Sequence, residues 1–234
     1  MERIPQATVT GSYGFGWQQM WKYFLHLFLI SVVIGFANAP LGIINDYETF
    51  TESGRVVSAE RMVFLQIIAA GYMLLVLPVL KYGANLLYLR GIRDEKIDFQ
   101  EMFGGFKKNY LNIILANLLT FAIIGLGFVF LIVPGIILAV RLAFVPYLVM
   151  DKELEPVAAV EKSWAMTRGH GWTIFGMGLL TIPIVIGGLI ALFVGVIFAV
   201  IWISAAFAAM YHAVDLEDKK KLNGNGDGGG TDDN

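Results

Sequence analysis

The sequence predicts an all-α, polytopic membrane protein, a six-transmembrane-helix bundle with amphipathic interfacial helices. Three observations point there. The 234 residues are 57% hydrophobic and 15% charged, with a mean hydropathy of +0.67; soluble domains average about 45–50% apolar and about 25% charged. Apolar runs recur at close to the ~20 residues that a helix needs to cross a bilayer. Lysine and arginine gather in alternate connecting segments, as the positive-inside rule requires.

The spans fall at about 21–39, 62–83, 110–132, 134–150, 172–190 and 192–213, giving one transmembrane domain over 1–214. The third and fourth share the stretch 109–150, whose only charge is Arg141. The fifth and sixth share 171–214, which has no Asp, Glu, Lys or Arg. Each shared stretch is about twice the spanning length and has breakers near its middle, Pro134-Gly135 in one and Pro183 with Gly187-Gly188 in the other. Two tight helical hairpins are therefore expected. Residues 24–36 followed by Ala37-Asn38-Ala39 resemble a signal peptide, but the polar lead is long and Pro40 follows, so an uncleaved first span is expected. Residues 215–234 end in NGNGDGGGTDDN, which cannot bury a core and reads as a disordered tail. Its glycine–aspartate pattern does not recur in register, so no calcium-binding repeat is read from it.

With the N-terminus inside, the inner segments hold Arg3, Lys22, Arg90, Arg93, Lys96, Lys107, Lys108, Lys152, Lys162, Arg168 and Lys219 to Lys221. The outer segments hold Arg55 and Arg61 among Asp46, Glu48, Glu52 and Glu60. Both termini are therefore expected in the cytoplasm.

Short amphipathic stretches precede three of the hairpins. Residues 16–24 carry Trp17, Met20, Trp21 and Phe24 on one face. Residues 98–110 place Phe99, Met102, Phe103, Phe106 and Tyr110 on a helical stripe, with Asp98 and Glu101 spaced as a capping box. Residues 155–172 carry Val157, Val160 and Trp164 on one side and lead to Trp172. Such helices lie in the headgroup plane, or pack on the bundle as inner loops with their aromatics marking the interface; the pattern leaves both open. Trp17, Trp21, Phe103, Phe106, Trp164 and Trp172 are the expected interfacial residues. The order "amphipathic element, hairpin" occurs three times, as an internal repeat would.

Arg141 is the conspicuous charge. An arginine at a helix centre costs about 2.5–3.5 kcal/mol on the insertion scale, and the apolar residues of 135–150 contribute about −3 to −5 kcal/mol. The helix therefore inserts more readily as a hairpin with 110–132. Pairing the hairpin about 133–134 sets Arg141 opposite Gly125 and Gly127, whose small size leaves room for the guanidinium to meet backbone carbonyls. Arg141 is thus either a structural pin or a contact for a lipid headgroup. Lys81, near the inner end of the second span, reads as a snorkelling lysine.

The spans hold no Asp or Glu, which disfavours proton- or sodium-coupled transport. With no cysteine, thiolate chemistry and disulfides are excluded. His26, His170 and His212 lack ligand spacing, and Ser31 and Ser204 lack a base, so no metal, cofactor or catalytic residue is assigned. The serines and Ala205, Ala206, Ala208 and Ala209 suit helix packing. No basic groove suggests nucleic acid.

The stretches FQEMFGGFKKNY and LIVPGIILAVRLAFVPYLVMDKELEPVAAVEKSWAMTRGHGWTIF carry a resemblance. Over about residues 82–213 the chain resembles the membrane domain of glycerophosphoryl diester phosphodiesterases and related bacterial membrane proteins. The resemblance implies a six-helix membrane module, in some members fused to a cytoplasmic phosphodiesterase. This chain departs there, since the polar residues after the last span are too few for that catalytic barrel, and the activity is not carried over. The expectation is a non-catalytic module contacting membrane lipids or a partner protein. The alternative is a small uncoupled transporter or lipid-translocating protein.

Overall fold

A computed structural model of the chain describes residues 4–52 and 59–226. It is all-helical, with no strand among the described residues. The elements are α1 (Val9–Lys22), α2 (Phe24–Glu52), α3 (Ala59–Leu75), α4 (Leu77–Ile92), a 3-10 segment (Phe99–Phe106), α5 (Tyr110–Phe130), α6 (Ile132–Arg141), α7 (Val145–Asp151), α8 (Pro156–Met166), α9 (Gly171–Ile190) and α10 (Leu192–Gly226). Among the described residues, five stretches are long and apolar enough to cross a membrane: Val63–Ile92, Tyr110–Phe130, Ile132–Asp151, Gly171–Ile190 and Gly195–Asn223. The pair α1–α2, bent by 98°, makes a sixth if counted as one.

The bundle is built around α4. Leu77, Val79, Tyr82, Ala84, Leu87, Leu89 and Ile92 are all buried, and α2, α3, α5, α7 and α10 pack around them. The second span was expected to end at 83, but the helix continues to Ile92. Asn85, Tyr88 and Arg90 lower its hydropathy, yet tertiary packing encloses this part and Tyr88 finds Ser31 at 2.5 Å. Lys81 faces outward and is exposed. On α10, Ala205, Ala206, Ala208 and Ala209 are buried, and their short side chains let neighbouring backbones approach. A Cβ on Gly16 of α1 would lie 2.8 Å from the Ala206 nitrogen.

The expected breakers do not break the chain where they stand. Pro134 sits in the first turn of α6, where a missing N–H is harmless, and the turn falls on Leu131, in extended conformation. Pro183 lies inside α9, and the second turn falls on Ala191. Glycine pairs let each hairpin close, Gly127 against Gly135 and Gly188 against Gly195. Pro146 interrupts the expected span 134–150 instead, splitting it into α6 and α7. Ser163 of α8 repairs the break: its hydroxyl accepts from the Phe144 N–H at 3.3 Å and donates to the Arg141 carbonyl at 2.8 Å. A hydroxyl from a neighbouring helix satisfies the freed backbone groups, as buried backbone requires.

Two further expectations are corrected. The tail does not become irregular at 215, because α10 runs to Gly226, held by side chains described below; residues 227–234 lie outside the described part. Asp98 and Glu101 do not form a capping box. Asp98 accepts from the Gln100 N–H at 2.9 Å, while Glu101 turns to Arg90 at 2.6 Å. The segment they begin is 3-10 and crosses α4 at Gly83, where a Cβ would stand 2.2 Å from the Met102 carbonyl oxygen.

Gly83→Ala therefore forces backbone apart and is expected to cost about 1–3 kcal/mol. Gly14→Ala meets nothing within 4 Å and is expected to be neutral or to stabilise α1 by about 0.5–1 kcal/mol. Thermal unfolding of both variants in detergent checks the contrast.

Candidate functional site

Arg141 does not sit opposite Gly125 and Gly127. Gly127 packs on Gly135 itself, with a virtual Cβ 2.9 Å from the Gly135 Cα, and Gly125 has nothing within 4 Å. The turn is two to three residues earlier than expected, which moves the register. Arg141 ends α6, and its carbonyl accepts from Ser163 and from Thr167 Oγ1 at 3.3 Å. Its guanidinium lies over the Trp164 ring, 5.7 Å from the centroid, within cation–π range. Thr167 leads on to the charged end: its carbonyl accepts from the His170 N–H at 3.1 Å, and His170 Nε2 lies 3.2 Å from Glu217.

At that end, ion pairs join nearly every element to another. Lys22 of α1 meets Asp94 at 2.6 Å, Lys108 meets Glu153 at 2.5 Å, and Lys162 of α8 meets Asp218 of α10 at 2.6 Å. The innermost group is centred on Arg93. It grips Asp151 with both ends of its fork, Nη2 to Oδ2 at 2.8 Å, and its Nε donates to His212 Nδ1 at 3.3 Å. The Tyr211 hydroxyl donates to Asp151 at 3.0 Å. Asp215, with no exposed side-chain surface, pairs with Lys152, with Lys219 at 2.9 Å and with Arg93 at 3.6 Å. These contacts hold α10 in helical form past 215.

The group has an internal order. Tyr88 of α4, Tyr147 of α7 and Tyr211 of α10 are buried. Tyr147 and Tyr211 stack at 4.9 Å and 14°, and Tyr88 is close enough to act electrostatically on Tyr147. Arg93 follows Tyr88 as Lys152 follows Tyr147, and Asp151 follows Tyr147 as Asp215 follows Tyr211. Arg93 binds Asp151 of the next unit, and Lys152 binds Asp215 of the next. The third pair of the series would join residues 216 and 92, which are Leu216 and Ile92. Both line a cleft of about 900 Å³ together with Gln19, Arg93, His212 and Lys219. Gln19 crosses that edge, 3.5 Å from the Ile92 carbonyl and 3.2 Å from Asp94. The Tyr-to-charge spacing is thus complete at Tyr147 and half present at Tyr88 and Tyr211.

Of the aromatics expected at an interface, Trp17, Trp21, Phe103, Phe106, Trp164 and Trp172 are all exposed. Their helices are nonetheless packed on the bundle. Tyr13 of α1 donates to the Met177 carbonyl at 3.0 Å, and Trp202 Nε1 donates to the Tyr13 carbonyl at 2.9 Å. No group of acidic, histidine or cysteine side chains suited to a metal ion occurs among the described residues. Sequence reading missed the Arg93 group because it used lysine and arginine as markers of sidedness and left their partners aside. The Tyr-x-x-x-Asp spacing at 147–151 and 211–215 was the available signal.

Fold and site define an all-helical bundle with helices of membrane-crossing length, clasped at one end by charge pairs. Residues 10–222 match a domain family of unknown function, DUF7847, and the chain belongs to that family. No curated protein and no solved structure matches the chain.

Asp215→Asn leaves Lys152 and Arg93 short of a buried partner and is expected to cost about 3–5 kcal/mol. Tyr211→Phe removes one hydrogen bond to a charged group, about 1.5–3 kcal/mol. Unfolding in detergent ranks the two. Hydrogen bonding from Lys22 holds the Asp94 carboxyl below the usual carboxylate range. The pair's contribution is therefore present above the ordinary carboxylate pKa of about 4 and is lost as pH falls through the lowered value. In Lys22→Met, an NMR titration should find Asp94 back near that ordinary value.

Proposed function

We propose that this protein is a multi-pass module of the cytoplasmic membrane, with its charged end and both termini in the cytoplasm. It is non-catalytic and works by contact with membrane lipids or with a partner protein. The observation that supports this best is the division of its surface and interior. The outward faces of the long helices are apolar, with Phe121, Val129, Phe130, Ile182 and Ile190 exposed. The centre is filled by α4 and the α10 alanines, and most of the lysines and arginines of the described residues lie at one end, many of them in ion pairs. Exposed apolar area on that scale marks a lipid-facing surface, and lysines and arginines concentrated at one end orient it. The resemblance to the membrane domain of glycerophosphoryl diester phosphodiesterases agrees with a membrane module and adds no activity.

The cleft beside Arg93 favours a second reading, an uncoupled transporter or lipid-translocating protein, since a polar opening at one end is where such a path would begin. Reconstitution into liposomes carrying a fluorescent phospholipid separates the two. The module reading expects the protein to resist carbonate extraction, and expects dithionite to bleach only the outer-leaflet probe, as in protein-free vesicles. Bleaching of both leaflets would establish lipid translocation instead. Release by carbonate would overturn the membrane reading altogether.

A further inference from the structure

The charge pairs leave out two guanidinium groups, Arg141 and Arg168, and Thr167, next to Arg168 in the chain, bonds the Arg141 carbonyl. Among the described residues neither Arg141 nor Arg168 makes an ion pair. Arg141 is half-buried, and its Nη1 is enclosed without any hydrogen-bond acceptor. The Thr120 hydroxyl on α5 is also enclosed and unpartnered. With Gly127 packed on Gly135, antiparallel pairing brings 121 opposite 141, so Thr120 stands at the level of Arg141. Arg168 follows four residues after Trp164, whose ring lies under the Arg141 guanidinium, and Trp172 is 86% exposed at the start of α9. The Arg141 backbone is fixed by two hydroxyls, Ser163 and Thr167, so the charge is held in place while its own donors stay unused. Unpaired donors of this kind call for an acceptor that the chain does not supply.

Along α6, Val133 and Ile137 are exposed and share a stripe with Arg141 at i, i+4 and i+8. The stripe is therefore apolar for two turns and then cationic. We propose that Arg141, with Arg168 and Thr120 beside it, binds the phosphate of an anionic phospholipid whose acyl chain lies along Val133 and Ile137. Guanidinium matches phosphate geometry and forms the stronger, charge-assisted class of hydrogen bond. Trp164 and Trp172 suit the headgroup level. The site rests on the reading that these helices cross a membrane, and it specifies which lipid class that module holds, and where.

The test titrates purified wild-type protein in detergent with phosphatidylglycerol or phosphatidylcholine, with and without inorganic phosphate, and counts retained lipid by native mass spectrometry. Wild type should retain phosphatidylglycerol in preference to phosphatidylcholine. Arg141→Gln should weaken that retention about tenfold, the loss of one charged hydrogen-bonding group, and Arg168→Gln severalfold. Equal retention of both lipids by wild type overturns the proposal, as does phosphatidylglycerol retention unchanged in the Arg141→Gln and Arg168→Gln proteins. Displacement of phosphatidylglycerol by inorganic phosphate overturns the acyl part and makes this a free-phosphate site. If Arg141→Gln does not fold, Arg168→Gln and Ile137→Ser decide, since neither residue is enclosed. Carbonate extraction of wild type reports separately on the membrane reading. A protein that stays in the membrane but does not discriminate between the lipids loses this site alone.

Discussion

Burying charge at one end of an otherwise apolar bundle is costly, and the protein accepts that cost where α4, α7 and α10 meet. Arg93, Asp151 and Asp215 come from α4, α7 and α10, with little side-chain exposure between them. Desolvation of each ion is repaid only when geometry is good and the remaining donors and acceptors are satisfied. The fork of Arg93 on Asp151, the Tyr211 hydroxyl and the His212 ring nitrogen meet that condition around Asp151, whereas the enclosed Oδ2 of Asp215 has ion pairs with Arg93 and Lys219 but no hydrogen bond. Such a group adds more to uniqueness than to stability. Apolar helices can slide past one another at small expense, whereas a buried guanidinium accepts one register.

That constraint accounts for features elsewhere in the bundle. Because α4 ends at the charge group, its last turns are enclosed and the Tyr88 hydroxyl needs internal partners, which Ser31 and Ser204 supply. Because Asp151 must arrive at the end of α7, the break at 142–144 has to be stable, and α8 provides the hydroxyls that make it so. Because two of three pairs in the series are charged and the third is Ile92 with Leu216, one edge lacks an ionic clasp. There α1 crosses, with Gln19 reaching over the edge and Lys22 fastened to Asp94.

Helix content and the approximate spans were legible because composition and run length report directly on the solvent that a helix faces. Helix ends were less legible. Hydropathy fell at Asn85, Tyr88 and Arg90, so the second span read as ending at 83, yet Tyr88 and Arg90 find partners within the fold. The hairpin register was lost for a geometric reason. Pro134 looks like a turn residue but is equally at home in the first turn of a helix, so the turn fell on Leu131 and Arg141 moved away from Gly125 and Gly127. The Arg93 group was hidden because its members lie 58 and more residues apart, and pairing at that range leaves only a weak spacing pattern in a single sequence. The exposed aromatics were visible, since tryptophan and phenylalanine repeated at helical spacing stand out whatever their partners.

The claim that the charge pairs fix how these helices meet is tested most directly by exchanging the charges of one pair. Arg93→Asp and Asp151→Arg, made singly and together, form a double-mutant cycle read by unfolding of the purified protein in lipid nanodiscs. The account expects each single variant to lose most of its stability and the double variant to recover a substantial part, a coupling of about 1.5 kcal/mol or more. Strictly additive losses, with no recovery in the exchanged protein, would contradict it.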